Sequence, residues 1–185
     1  AYAALLKNPK LTSLTEAQIA TTIEYEMRMQ GAQIAFDTVV AFGTNTAIPH
    51  HVPTNKRMQK GATILIDFGA KVNGYCADLS RNCSFGTPSA QAEKMYKTLS
   101  ESYRLVMEYI QKKLDKQEKI IAQDVDAVAR DYIIENGFPS YPHALGHGVG
   151  IQVHEFPHIA PLRPDEITEG MVFALEPGTY LVDEI

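Results

Sequence analysis

Cysteine is scarce in this chain, with two residues in 185, Cys76 and Cys83. Two thiols are too few for a disulfide scaffold, and no CxxC pattern offers a redox or zinc motif. Seven apart along one extended run, they cannot readily pair with each other, so both read as small buried hydrophobes suited to a reducing cytosol. A surplus of positive charge is also missing. Seventeen Lys and Arg stand against 22 Asp and Glu, a net charge of −5, which lends nucleic-acid binding no electrostatic support. No apolar run approaches membrane-spanning length, and the first residues carry no secretory hydrophobic core. The chain starts with Ala1, so it is expected to be processed or cut from a longer protein. Low-complexity stretches, short-period repeats and internal linkers are absent. What remains is a globular composition, 45% hydrophobic and 21% charged, long enough for one good core. One domain over residues 1–185 is the simplest organisation.

Local signals set the element order. Thr15-Glu-Ala-Gln18 matches a capping box, Ile19, Ile23 and Met27 follow at helical spacing, and Gly31 is a plausible stop. Residues 36–42 read as a strand. A loop with Pro49 and Pro53 leads to the buried strand 62–68 and a second extended run from Tyr75. Gly86-Thr-Pro-Ser89 announces a second helix with Met95, Leu99, Val106 and Ile110 along its apolar face. A third helix starts near Asp124, uses Val125, Val128 and Tyr132, and stops at Gly137. After a stretch rich in Pro, Gly and His, residues 171–175 read as a buried strand ended by Glu176-Pro-Gly178. Helix, strands, two helices and strands predict an α+β domain, an antiparallel sheet with helices on one face.

Two carboxylates sit awkwardly in this plan. Asp67 ends a buried strand, Lys71-Val-Asn-Gly74 turns the chain, and Asp78 follows in the next run. A symmetric hairpin centred between Val72 and Asn73 sets them directly opposite, about 4.5–5.5 Å apart at Cβ. Like charges there repel, and desolvation adds to the cost. A bound cation removes both objections.

Three histidines, His143, His147 and His154, crowd into twelve positions. Gly146, Gly148 and Gly150 surround His147 and argue against a helix. In extended chain His143 and His147 share a side, and His154 joins them only if a bulge or turn re-aims the strand. Glu176 is held by a rigid Pro-Gly turn. His50 and His51 lie in a loop stiffened by prolines. Taken singly, Glu176, His50 and His51 read equally well as surface residues. Asp67, Asp78, His147 and Glu176 together form an oxygen-rich donor set with one imidazole, suited to Mn²⁺, Co²⁺, Fe²⁺ or Zn²⁺. Carboxylates of this kind can bridge two metals, a pairing that polarises a carbonyl and generates hydroxide near neutral pH.

Five stretches in this order carry a resemblance: Asp67-Phe-Gly-Ala, Gly74-Tyr-Cys-Ala-Asp78-Leu-Ser-Arg81, Gly146-His-Gly-Val-Gly150, Val153-His-Glu155 and Leu175-Glu-Pro-Gly-Thr-Tyr180. From about residue 11 to 185 the chain resembles the pita-bread metallopeptidases, in the Xaa-Pro aminopeptidase and prolidase branch. The resemblance implies a pita-bread fold and hydrolysis of Xaa-Pro peptide bonds with two divalent metal ions, Mn first and Co or Zn as alternatives. Asp67 binds the first metal, Asp78 bridges both, and His147 and Glu176 bind the second. His50, His143 and His154 surround a proline-containing peptide substrate. A cytoplasmic homodimer is implied for the full-length protein. His143, four residues before the metal histidine, favours this branch over the methionine aminopeptidases. The reading from another class is a non-catalytic peptide-binding module on the same fold; against it, every ligand position in range is filled. The family also supplies a bridging glutamate about twenty residues after the Glu-Pro-Gly turn. Asp183 and Glu184 are too close to Glu176 for that role, so the expectation is an incomplete catalytic domain lacking the final strands, without a separate N-terminal domain.

Overall fold

The computed structural model describes residues 1–181, and its chain folds as two units, one built on Ala1–Ala92 and the other on Glu93–Tyr180. Asp183 and Glu184 lie outside the described residues.

In the first unit a short helix α1 (Tyr2–Leu5) and a 3-10 turn (Leu11–Ser13) precede α2 (Glu16–Met29). The start of α2 is the predicted capping box. Gln18 N–H donates to Thr15 Oγ1 at 3.3 Å, and Thr15 N–H donates to Gln18 Oε1 at 3.0 Å. Two otherwise unpaired helix-end donors are thereby satisfied. The stripe Ile19, Ile23 and Met27 is buried against Leu5, Val40, Phe42, Ile64, Ile66 and Phe68, which makes this the unit's core.

Those partners come from a sheet. Strand β1 (Gln33–Phe42) pairs with β2 (Thr63–Val72), which pairs on its other side with β3 (Tyr75–Cys76) and β4 (Leu79–Ser84). All pairings are antiparallel. Strand β1 begins three residues earlier than predicted and carries two register shifts, irregularities that hide its first half from a period-2 reading. Along β2 the core-facing Ile64, Ile66 and Phe68 alternate with positions on the other face, as the pleat requires.

The long helix α3 (Ala90–Asp115), which enters the second unit at Glu93, is capped by Ser89, whose Oγ accepts Ala92 N–H at 3.1 Å. Its buried line runs through Met95, Thr98, Ser102 and Val106; Leu99 and Ile110 are only half-buried. Strand β5 (Ile120–Ile121) leads into α4 (Ala122–Glu135), which buries Val125, Asp126, Ala129 and Ile133 and ends just before Gly137. Strand β6 (Gly146–Gly148) lies between β7 (Glu155–Ile159) and β9 (Phe173–Leu175), and β8 (Glu166–Ile167) pairs with β5. The β5–β8 ladder is two residues long and has no sequence period to reveal it. Backbone bonds from Ala122 N to Asp165 O and from Gln123 N to Arg163 O extend it.

The cysteines depart from expectation. Cys83 is exposed and Cys76 half-buried. Cys83 lies on β4, which pairs only with β2 among the described residues, so its side chains are not covered as a central strand's would be. Among the described residues no helix is long and apolar enough to cross a membrane.

Candidate functional site

The first unit holds Asp67, Asp78 and His50. The hairpin that carries the aspartates turns at Asn73 and Gly74, with φ of 52° and 88°. Positive φ at both central residues marks the two-residue turn that Asn-Gly favours. It moves the hairpin centre one residue beyond the symmetric expectation: Val72 faces Tyr75, and Asp67 faces Ser80. The two aspartates are therefore not directly opposite. Asp78 follows β3 and is the diagonal neighbour of Asp67 on the same face, about 7–8 Å away in a regular ladder. The correction relaxes the direct repulsion and widens the gap to one that a cation between them fits better. Both side chains are half-buried. This face is the one turned away from the apolar core.

His50 is exposed, in the turn after a 3-10 segment (Gly43–Ala47), with φ of 55°. Its neighbour His51 is buried and anchors the loop. His51 Nε2 lies 3.0 Å from Glu16 Oε2, and Glu16 is fully buried. Glu16 also accepts hydrogen bonds from Phe42 N (2.8 Å), Asn45 Nδ2 (2.8 Å), Thr54 N (3.0 Å) and Thr54 Oγ1 (2.6 Å). Burial pushes this carboxyl up, but the hydrogen bonds from Thr54, His51 and Asn45 outweigh it and hold the group below its ordinary range. Sequence reasoning missed Glu16 because a glutamate in the first turn of a helix normally serves the helix dipole at the surface.

In the second unit the glycines around His147 do what extended chain at close quarters requires. A Cβ on Gly146 would stand 2.0 Å from Ala174 O, and one on Gly148 would stand 2.2 Å from Phe156 O. Only glycine lets β7 and β9 close on both sides of β6. The β6–β7 ladder shifts register between His147 and Gly148, the irregularity on which a shared location of His147 and His154 depended. The two rings meet edge to face, with centroids 4.3 Å apart. His147 Nε2 lies 3.0 Å from Glu176 Oε1, while its Nδ1 lies 3.0 Å from Gly148 O. The carbonyl assigns the proton to Nδ1 and leaves the Nε2 lone pair directed at a carboxylate. Two acceptors at that distance need a shared proton or a shared cation, so this imidazole and carboxylate fit a divalent ion. Glu176 is seated by its own N–H, which donates to Leu145 O at 2.8 Å.

His143 precedes β6 in a bend rather than a strand. Its Nδ1 faces Ala144 O at 2.7 Å and its Nε2 faces the Tyr180 hydroxyl at 2.8 Å. Tyr180 entered the sequence reading only as the end of the stretch Leu175-Glu-Pro-Gly-Thr-Tyr180, and Asp126 and Arg130 behind His143 were not singled out. Their signal was there: an acidic residue on the buried side of α4, four residues before an arginine.

Comparison with known proteins shows the family and the fold. The family model Peptidase_M24, metallopeptidase family M24, matches residues 1–185. The chain is 36% identical over 168 residues to the Xaa-Pro dipeptidase of Pyrococcus horikoshii, covering 90% of this chain and 46% of that protein. A crystal structure of prolidase from Thermococcus sibiricus superposes with a TM-score of 0.88 at 36% identity, over 98% of this chain and 48% of the other. X-Pro aminopeptidase from Thermotoga maritima gives 0.88 at 34% identity, over 98% of this chain and 50% of the other. The chain thus spans about half the length of the relatives it matches, and within that span it shares their α+β pita-bread fold. With its whole length matched by the family model, the chain belongs to metallopeptidase family M24.

Proposed function

We propose that the protein is a metallo-exopeptidase that hydrolyses Xaa-Pro bonds, as an Xaa-Pro aminopeptidase or an Xaa-Pro dipeptidase. The observation that carries this reading is His147 Nε2 directed at the Glu176 carboxylate at 3.0 Å, in a chain whose relatives include an Xaa-Pro dipeptidase and an X-Pro aminopeptidase. As a member of a metallopeptidase family the protein uses a divalent metal. In the finer reading there would be two ions, manganese by first preference with cobalt or zinc as alternatives, and Asp67, Asp78, His147 and Glu176 would hold them. When bound, the ions supply Lewis acidity toward the scissile carbonyl and lower the pKa of water.

The chain's own residues do the rest. The Gly148 carbonyl keeps the His147 proton on Nδ1 and so presents Nε2 as a ligand. His143, held between Ala144 O and the Tyr180 hydroxyl, and His154, packed on the His147 ring, orient the substrate and hold protons near the carbonyl or the leaving nitrogen. His50, on its exposed turn, is assigned the same role. Residues 1–185 are assigned to one catalytic domain. The full-length protein is assigned to the cytoplasm as a homodimer.

The test is hydrolysis by the full-length protein, reconstituted with Mn²⁺, of Xaa-Pro dipeptides, longer Xaa-Pro peptides and a Met-Ala peptide. The expected result is cleavage before proline, abolished by EDTA and restored by Mn²⁺. Cleavage of dipeptides alone assigns a dipeptidase, and cleavage of longer chains an aminopeptidase. Turnover of Met-Ala in preference to Xaa-Pro, or no turnover with metal bound, refutes the proposal.

A further inference from the structure

The residues that carry His143 and lead into His147 lie outside any regular ladder. From Ser140 to Leu145 the backbone is bend and coil, so its polar groups need partners from elsewhere. One side chain supplies partners for two of its backbone carbonyls. Arg130, on α4, donates from Nη1 to Tyr141 O at 2.8 Å and to Ser140 Oγ at 2.7 Å, and from Nη2 to His143 O at 3.1 Å. Its Nε and Nη2 also grip Asp126 in a fork, at 2.7 Å to Oδ2 and 2.8 Å to Oδ1. All five guanidinium N–H groups are engaged, and the plane covers the Tyr141 ring at 4.1 Å. Asp126, 1% exposed, accepts Leu145 N–H at 3.1 Å. Leu145 O in turn accepts Glu176 N–H. A continuous chain of bonds therefore runs from α4 to both His143 and Glu176.

A buried ion pair is a poor way to gain stability, since well-packed apolar residues of the same volume commonly do as well or better. This pair instead has the geometry of a jig. A lysine at 130 could neutralise Asp126, but its compact ammonium could not span two backbone carbonyls and a carboxylate fork at once.

We propose that Asp126 and Arg130 are positioning residues: together they set the His143 imidazole and, through Leu145, the approach of Glu176 to His147. This rests on the metallopeptidase reading for its kinetic consequence but not for its structural one. Partners that orient metal ligands commonly change affinity or activity by about 10–100-fold when lost, and this pair is expected to fall in that range.

The test compares full-length wild type with Arg130→Lys and Asp126→Asn, and with Arg104→Lys as control. Arg104 belongs to an exposed triad with Glu101 and Glu108 on α3, so its conservative replacement probes charge geometry away from the site. Three quantities are read: kcat and KM on an Xaa-Pro peptide, Mn²⁺ affinity by competition with a chelating dye, and the imidazole resonances of ¹⁵N-histidine-labelled protein without metal. For Arg130→Lys the expected result is a fold that persists by circular dichroism, kcat or Mn²⁺ affinity reduced about 10–100-fold, and displaced His143 and His147 resonances; Arg104→Lys leaves all three unchanged. Wild-type resonances and wild-type Mn²⁺ affinity in a folded Arg130→Lys protein overturn the proposal. If Arg130→Lys does not fold, Asp126→Asn decides by the same readouts. If wild type cleaves no Xaa-Pro peptide, the functional reading fails while the resonances and Mn²⁺ titration still decide the positioning claim.

Discussion

Replacing Glu16 by Gln should destabilise the protein by about 2 kcal/mol, and the structure shows why the number is neither zero nor very large. The glutamate accepts two hydrogen bonds at Oε1 and three at Oε2. A glutamine keeps one acceptor oxygen and turns the other into a donor that faces donors. Several partners can adapt: the Asn45 amide can flip, the Thr54 hydroxyl can rotate, and His51 can exchange tautomers. Two cannot, the backbone N–H groups of Phe42 and Thr54. Phe42 is fully buried and Thr54 exposed, so the amide oxygen stays with Phe42 and the Thr54 N–H is the fixed donor left facing the new NH₂ group. One weakened fixed donor and the loss of charge assistance at the others amount to about 2 kcal/mol, at hydrogen-bond values of about 1–3 kcal/mol each. In a chain of this size that is a fall in Tm of about 4–8 °C. The pH dependence has a defined sign. The folded-state pKa of Glu16 lies below the ordinary 4.5. The carboxylate's contribution is therefore complete above about 4.5, the unfolded value, and is lost as pH falls through the lower folded value. Urea unfolding of wild type and Glu16→Gln at neutral pH and again near pH 3 measures both effects. The gap should be about 2 kcal/mol at neutral pH and shrink in acid. A neutral-pH gap under about 0.5 kcal/mol, or one that widens in acid, refutes the reasoning.

Other expectations are more local. Gly74→Ala meets no atom within 4 Å but stands at φ +88°, so it should cost about 1–2 kcal/mol from backbone strain alone, read by thermal unfolding; an unchanged Tm would contradict the turn. Gly148→Ala drives a Cβ against the Phe156 carbonyl, so it should destabilise by at least ~1–3 kcal/mol and weaken Mn²⁺ binding; retention of both shows that β6 and β7 are less tightly joined. Although burial pushes the Cys83 thiol up, a maleimide at a pH high enough to ionise both thiols should label exposed Cys83 in the native protein before half-buried Cys76, as peptide mapping by mass spectrometry will reveal; equal rates there would contradict that difference in exposure.

Much of the fold was legible locally. The capping box at Thr15, the stripe of Ile19, Ile23 and Met27 and the glycine after each of α2 and α4 each depend on neighbours a few residues apart. The β2 run and the β9 strand were legible because short runs rich in β-branched and aromatic residues, bounded by turn signals, favour strand over helix. Short ladders were not, since β5 and β8 hold together by two residues each, and their partners are 45 and 47 positions away in sequence.

For the site, sequence by itself determined which atoms are available: two carboxylates flanking one hairpin, a glycine-bounded histidine and a glutamate locked by Pro-Gly. Those are matters of residue type and order. It did not determine register, because the pairing of Asp67 with Ser80 rather than Asp78 follows from positive φ at both Asn73 and Gly74, a conformation that the folded hairpin selects. Nor did it show what holds the site residues in place. Glu16 and the Asp126–Arg130 pair look like ordinary helical charges until the chain folds, because their partners lie 10 to 38 residues away. Hydrogen bonding to a distant backbone leaves no periodic trace in sequence, and only the tertiary structure brings those donors and acceptors together.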